Sequence, residues 1–234
     1  MDPNRLNFLV GEYLQLWADH GVGCQHLRQL RLGAQAETPA GDPQAPSDQT
    51  LSDVREWLGN CTRCQLAQGR NKIVFGSGNE KARLMFVGEG PGANEDAQGL
   101  PFIGRAGNLL TKIIEAMGYA REDVYIANIV KCRPPQNRTP LPAEVEACTP
   151  FLRAQIEVIR PRVIVALGLP SSTFLTGKVV AMGQLRGRFH PLHWNTGVEV
   201  MPTYHPAYLL RNPSAKKYVW EDMKLVRSRL ETLQ

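Results

Sequence analysis

Residues 84–92 read LMFVGEGPG. An unbroken apolar run ends in a turn built from three glycines and a proline. A short run of this kind fits a strand buried on both faces. Residues 124–130, VYIANIV, and residues 163–168, VIVALG, repeat the pattern, and residues 198–203, VEVMPT, add a fourth β-type run. Helical stretches lie between them at 106–117 and 142–160, where Pro142 suits a first helical turn. A last amphipathic helix covers 215–233. Strands alternating with helices predict an α/β sandwich around a parallel sheet. Such sheets bind ligands beyond the carboxyl ends of their strands. The unusual segments fall there: GEGPG at 88–92, KCRPPQNR at 131–138 and YHPAYLLRNP at 204–213.

Upstream, residues 5–19 place Leu6, Leu9, Tyr13, Leu16 and Trp17 at helical spacing, and a second short helix is expected over 25–32. Residues 34–50 are rich in Gly, Ala, Pro and polar side chains and read as a flexible linker. The expected organisation is a helical appendage at 1–33, that linker, and a main domain at 51–234, whose first short helix Ser52 would cap.

The chain has 234 residues, 43% of them hydrophobic, which excludes a disordered polymer and allows a core without disulfides. No run approaches the roughly eighteen apolar residues of a membrane span. The start, MDPNRLNFLV, lacks the features of a secretory signal, so a cytoplasmic setting and no membrane partner are expected. The formal charge of +5 is unevenly placed: residues 1–50 carry −3 and the remainder +8. A domain of +8 suits a polyanionic partner, or simply presents a solvated basic surface.

Five cysteines are present. Cys61 and Cys64 form C-x2-C, Cys132 and Cys148 have fifteen residues between them, and Cys24 stands alone. In a cytoplasmic chain such clustering points to metal rather than to disulfides. The second pair is not the compact C-x2-C of a zinc ribbon. A [4Fe–4S] cluster accepts ligands from distant loops and is favoured. Structural zinc and unrelated thiols remain open from spacing alone. The turn GEGPG has no following Lys-Ser/Thr and no G-x-G-x-x-G pattern, so it is neither a Walker loop nor a dinucleotide fingerprint.

The segments GEGPGANED, PFIGRAGNLL, NIVKCRPPQNR and HPAYLLRNP together resemble the family 4 uracil-DNA glycosylases, the iron–sulfur branch of their superfamily. The resemblance covers about residues 55–230. It implies a three-layer α/β/α domain with a central four-stranded parallel sheet. It implies a monomeric, DNA-bound enzyme that hydrolyses the N-glycosidic bond of uracil in DNA. The abasic site it leaves would initiate base excision repair.

The same resemblance assigns roles. Cys61, Cys64, Cys132 and Cys148 would hold the [4Fe–4S] cluster. Phe102 would stack on the flipped base. The Asn128 amide would bond both O4 and N3–H of uracil and so reject cytosine. Gly90 and Gly92 would let the main chain approach the base, and Glu95 would lie near C5. His205 would donate to O2 as charge builds there. Related branches place an Asp where this chain has Gly90, so water positioning falls to Glu89, Glu95, Asn137 or main-chain groups. Leu209 and Leu210 would enter the gap left by the base. Arg211, Arg133, Arg138, Lys216 and Lys217 would meet phosphates. Arg186, Arg188, His190 and His193 form a further basic patch.

Three alternatives remain at this point. A related branch binds uracil-DNA covalently through the histidine of an inserted Arg-Ile-His loop; residues 132–148 contain neither histidine nor insertion. A non-catalytic DNA-binding or DNA polymerase accessory module would need neither Asn128 nor His205. A zinc-stabilised RNA- or nucleotide-binding domain would contain no iron. The acidic appendage at 1–33 would dock a repair or replication partner or fold back on the domain.

Overall fold

Six strands and eight α-helices alternate over residues 49–233, the part of the chain that the computed structural model describes. The expected N-terminal helices, all but the end of the linker, and Cys24 lie outside the described residues. The strands are β1 (Ser77–Gly78), β2 (Leu84–Gly88), β3 (Tyr125–Asn128), β4 (Val163–Leu167), β5 (His190–Leu192) and β6 (Asn195–Thr203). The helices are α1 (Leu51–Leu58), α2 (Ala93–Gln98), α3 (Arg105–Ala116), α4 (Pro142–Ile159), α5 (Leu169–Thr176), α6 (Met182–Leu185), α7 (Pro206–Arg211) and α8 (Lys216–Thr232).

The sheet order is β1-β3-β2-β4-β6-β5. The four middle strands are parallel, as the apolar runs predict. The sheet nevertheless has six strands and is mixed, because β1 and β5 add antiparallel edges. Both edge strands are too short to show a period in the sequence. Pro191 within β5 lacks an N–H and suits an edge.

Alternation along the buried strands makes two cores. Met85, Val87, Tyr125, Ala127, Ile164 and Ala166 share one core with α1 and α4 residues such as Val54 and Leu152. Leu84, Phe86, Ile126, Val163 and Val165 share the other with Leu110 and Ile114 of α3 and Val219 and Met223 of α8. Both faces of β2, β3 and β4 are therefore covered, and their side chains are apolar except for Asn128 at the end of β3 and the hydroxyl of Tyr125 at its start. Thr50, not Ser52, caps α1: its hydroxyl accepts from the Asp53 N–H and the Asp53 carboxylate accepts from the Thr50 N–H.

Strand order reverses around β2. The chain leaves β2 for β3 on one side, then crosses to β4 on the other. A crevice at the carboxyl end of β2 follows from this reversal, and residues 88–92 stand in it.

Candidate active site

The ladder between β2 and β3 continues past both strands. Ile129 N–H donates to the Gly88 carbonyl at 2.9 Å and Val130 N–H to the Glu89 carbonyl at 3.1 Å. This register sets Asn128 beside Gly88. A Cβ on Gly88 would stand 2.5 Å from Asn128 Oδ1 and 2.6 Å from Phe102 Cζ, so only glycine lets these two groups converge. A Cβ on Gly90 would stand 2.8 Å from Val130 Cγ2. Asn128 is 1% exposed, and its Oδ1 is buried without a hydrogen-bond partner. Such an acceptor is costly unless something arrives to satisfy it.

Phe102 is held by its own loop. Its φ is 50°, a region a bulky residue occupies only under constraint. The main chain of Gly107, at the start of α3, passes against the Phe102 carbonyl so closely that no side chain fits between them. Glu95 on α2 clamps the loop: Oε1 accepts from the N–H groups of Ile103 (2.9 Å) and Gly104 (3.0 Å), and Oε2 from Gly92 N–H (3.1 Å). The carboxylate thus ties the turn after β2 to the segment that carries Phe102.

The Phe102 ring lies 5.6 Å from the His205 imidazole, centroid to centroid. His205 stands at the N-terminus of α7, where its Nδ1 accepts from Ala207 N–H at 3.1 Å. A ring that accepts at Nδ1 carries its proton on Nε2. Burial pushes its pKa down to about 4, with the Arg211 charge adding to the drop and Glu95 opposing it. Gly168, at φ 90°, gives the ring room, since a Cβ there would lie 3.2 Å from His205 Cβ. Glu89 is half-buried, and its Oε1 has no hydrogen-bond partner. Burial raises its pKa above the usual carboxylate range, with Thr139 opposing.

Other expected site residues lie elsewhere. Asn137 is exposed, and its Oδ1 accepts from Arg133 Nε at 2.7 Å. Of the expected wedge pair, Leu209 is 1% exposed and belongs to the core beneath α7 and α8, whereas Leu210 is 39% exposed. Helical geometry separates the two neighbours by about 100°, so one points in and one out. Arg138 is committed to the buried Glu144 carboxylate in a bidentate pair at 2.6 and 2.8 Å. The expected basic patch is dispersed. Arg186 pairs with buried Asp222 at 2.7 Å, and His190 is buried against the Leu185 carbonyl. Arg211, Lys216 and Lys217 are exposed, at the C-terminal end of α7 and the start of α8.

The four cysteines of the described residues pack against the same core, Cys132 and Cys148 buried within it and Cys61 and Cys64 at its margin. Three N–H groups point at their sulfurs: Lys131 main chain to Cys148 (3.2 Å), Arg70 to Cys132 (3.3 Å) and Arg63 to Cys61 (3.4 Å). As free thiols the inner pair is held neutral: burial pushes Cys148 up to about 12 and raises Cys132. Among the described residues no three His, Cys, Asp or Glu side chains form a group that could hold a single metal ion.

The family model of the uracil DNA glycosylase superfamily matches residues 75–224, from before β1 into α8. The chain belongs to that superfamily. Within it, a Type-4 uracil-DNA glycosylase of Thermotoga maritima is 50% identical over 184 residues, 77% of this chain and 95% of the relative. The Type-4 enzyme of Saccharolobus solfataricus is 47% identical over 190 residues, 78% and 87% respectively. That of Archaeoglobus fulgidus is 40% identical over 183 residues, 76% and 92%. The superfamily match spans all the crevice residues just described.

Four contributors were missed in the sequence. Arg70 reaches Cys132, and the next residue, Asn71, donates to the buried Asp96 beside Glu95. Lys131 and Gln155 form a buried polar pair behind Asn128. Only Lys131 left a signal, as a lysine within an otherwise apolar strand end.

Proposed function

We propose that the protein hydrolyses the N-glycosidic bond of uracil in DNA, leaving an abasic site. The observation that carries this is the buried, unpartnered Oδ1 of Asn128 beside the Phe102 ring. A flipped uracil stacked on Phe102 would donate N3–H to that Oδ1 and accept at O4 from the same amide. Cytosine presents an acceptor at N3 and a donor at position 4, so it would face both atoms wrongly. Sites that leave a buried polar group unpaired reject the wrong substrate strongly.

As the bond breaks, the ring gains negative charge at O2. His205 suits this position as a neutral donor, since Ala207 holds Nδ1 and leaves the proton on Nε2. Glu89 is the better candidate for orienting water, because its unpartnered Oε1 is free to accept while Asn137 is engaged by Arg133. Glu95 has three main-chain N–H groups on its carboxylate, which suits a brace that sets Gly92 and Phe102 around the edge of the base at C5. Leu210, the exposed member of the leucine pair, would enter the stack.

Cys61, Cys64, Cys132 and Cys148 fit a [4Fe–4S] cluster by donor chemistry: four thiols in one core, three of them facing N–H donors that suit thiolate sulfur. Bound there, the cluster would tie the loop at residues 61–70 to β3 and α4. Acting on DNA, the enzyme would work in the cytoplasm. Among the described residues no helix is long and apolar enough to cross a membrane.

The test is release of free uracil from a uracil-containing duplex, with iron measured in the same preparation. A DNA-binding module without catalysis would retain the duplex and release nothing.

A further inference from the structure

Lys131 is fully buried, three residues after Asn128. Its Nζ donates to the main-chain carbonyl of Asn128 at 2.9 Å and to Gln155 Oε1 at 2.6 Å. Gln155, itself fully buried on α4, donates from Nε2 to the Phe75 carbonyl at 2.9 Å and to the Tyr125 hydroxyl at 3.3 Å. Tyr125 begins β3 and Asn128 ends it. One network therefore pins both ends of the strand against α4.

No carboxylate appears among these partners. Burying an ammonium without one costs several kcal/mol, and an apolar side chain of similar length carries no such cost. Apart from the Cys148 sulfur, whose charge would favour the ammonium, cohesion of the core gives no reason for the lysine or for the bonds its Nζ makes. Its placement does: the β2 ladder engages Gly88 and Ile129, while the Asn128 carbonyl, at the strand's end, is taken by Lys131. The Asn128 Oδ1 has no hydrogen bond of its own, so that end of the amide is located through the main chain from which it projects.

We propose that Lys131 is a positioning residue for base readout: locked by Gln155, its ammonium fixes the Asn128 main chain so that the amide meets the base edge in register. This rests on Asn128 reading uracil, as argued above.

The test is a double-mutant cycle on kcat/KM for uracil excision, using the full chain and single-turnover conditions. Lys131→Met is measured in the parent and in Asn128→Ala. A residue that acts through Asn128 should lower kcat/KM by about 10- to 100-fold in the parent, the scale of a misplaced reacting group. It should lower it less than about 3-fold once Asn128 is gone. In the parent background the ratio of uracil to cytosine excision should also narrow. Equal losses in both backgrounds would overturn the inference. That is also the pattern of a general structural defect, or of damage through the cysteines, whose contact with the Lys131 main-chain N–H survives the substitution. If Lys131→Met does not fold, Gln155→Met, which unlocks the lysine, runs the same cycle with the same two outcomes. An inactive parent would overturn the functional reading itself, and the inference with it. An active parent with additive losses overturns the inference alone.

Discussion

Asn128 and Phe102 converge over Gly88: the amide oxygen and the ring edge each lie within 2.6 Å of the point where a Cβ on Gly88 would stand. The amide edge and the ring are thus brought together by the absence of one methyl group. Gly88→Ala must push one of them aside. A shift of about 1 Å at a reacting site costs on the order of 100-fold, so kcat/KM for uracil excision should fall by about that factor. The thermal midpoint should move far less, which a melting curve beside a single-turnover assay checks.

His205 is the proposed donor to O2, and the fold sets its protonation state. Burial holds its pKa at about 4, so the imidazole stays neutral at pH 5 and above. The sign for stability follows. The folded pKa lies below the ordinary 6.5, so the unfolded chain takes up the proton first. The contribution of this group is fully present above pH 6.5 and is lost as pH falls from 6.5 toward 4. Urea midpoints should therefore drop more steeply across that window in the parent than in His205→Ala. The same substitution should lower kcat by about 100- to 1,000-fold, the usual effect of losing one donor to a developing oxyanion.

Leu209 and Leu210 should behave oppositely. Leu209→Ala removes a buried side chain and should cost about 2–5 kcal/mol of stability. Leu210→Ala should leave stability within about 0.5 kcal/mol, as exposed positions do. Its effect should appear as weaker excision from duplex than from single-stranded DNA, where no stack has to be refilled. Chemical denaturation and paired excision assays on both substrates check the two halves.

The cysteine set makes a separate prediction. Cys148→Ala should abolish stoichiometric iron and the visible absorbance of a cluster, and should lower the melting temperature. The three remaining cysteines would then lack the metal that couples them to one another and to the fold. Zinc in place of iron in the parent would favour the structural-zinc alternative.

The sequence shows β2, β3 and β4 because each is a short, mostly apolar run buried on both faces. The edge strands β1 and β5 escape notice because two or three residues carry no period. The crevice is legible where the chemistry is unusual in one dimension: glycines after β2, a stiff Cys-Arg-Pro-Pro turn after β3, and His-Pro after β6. Partnerships across the fold are not. Nothing in NEDAQ announces that Glu95 would gather three main-chain N–H groups. Nothing in RPPQNR shows that Arg138 is already spent on Glu144. The wedge pair is half legible: a Leu-Leu step on a helix must present one residue outward, but only the packing of α7 shows that it is Leu210.

The most direct measurement uses three oligonucleotides that are identical except for uracil, cytosine or thymine at one position, followed by alkali to cut abasic sites. Scission is expected at uracil only. Asn128→Asp should excise uracil more slowly and discriminate less well against cytosine. Absence of scission with folded, iron-containing protein would contradict the account, as would an Asn128→Asp variant as active and selective as the parent.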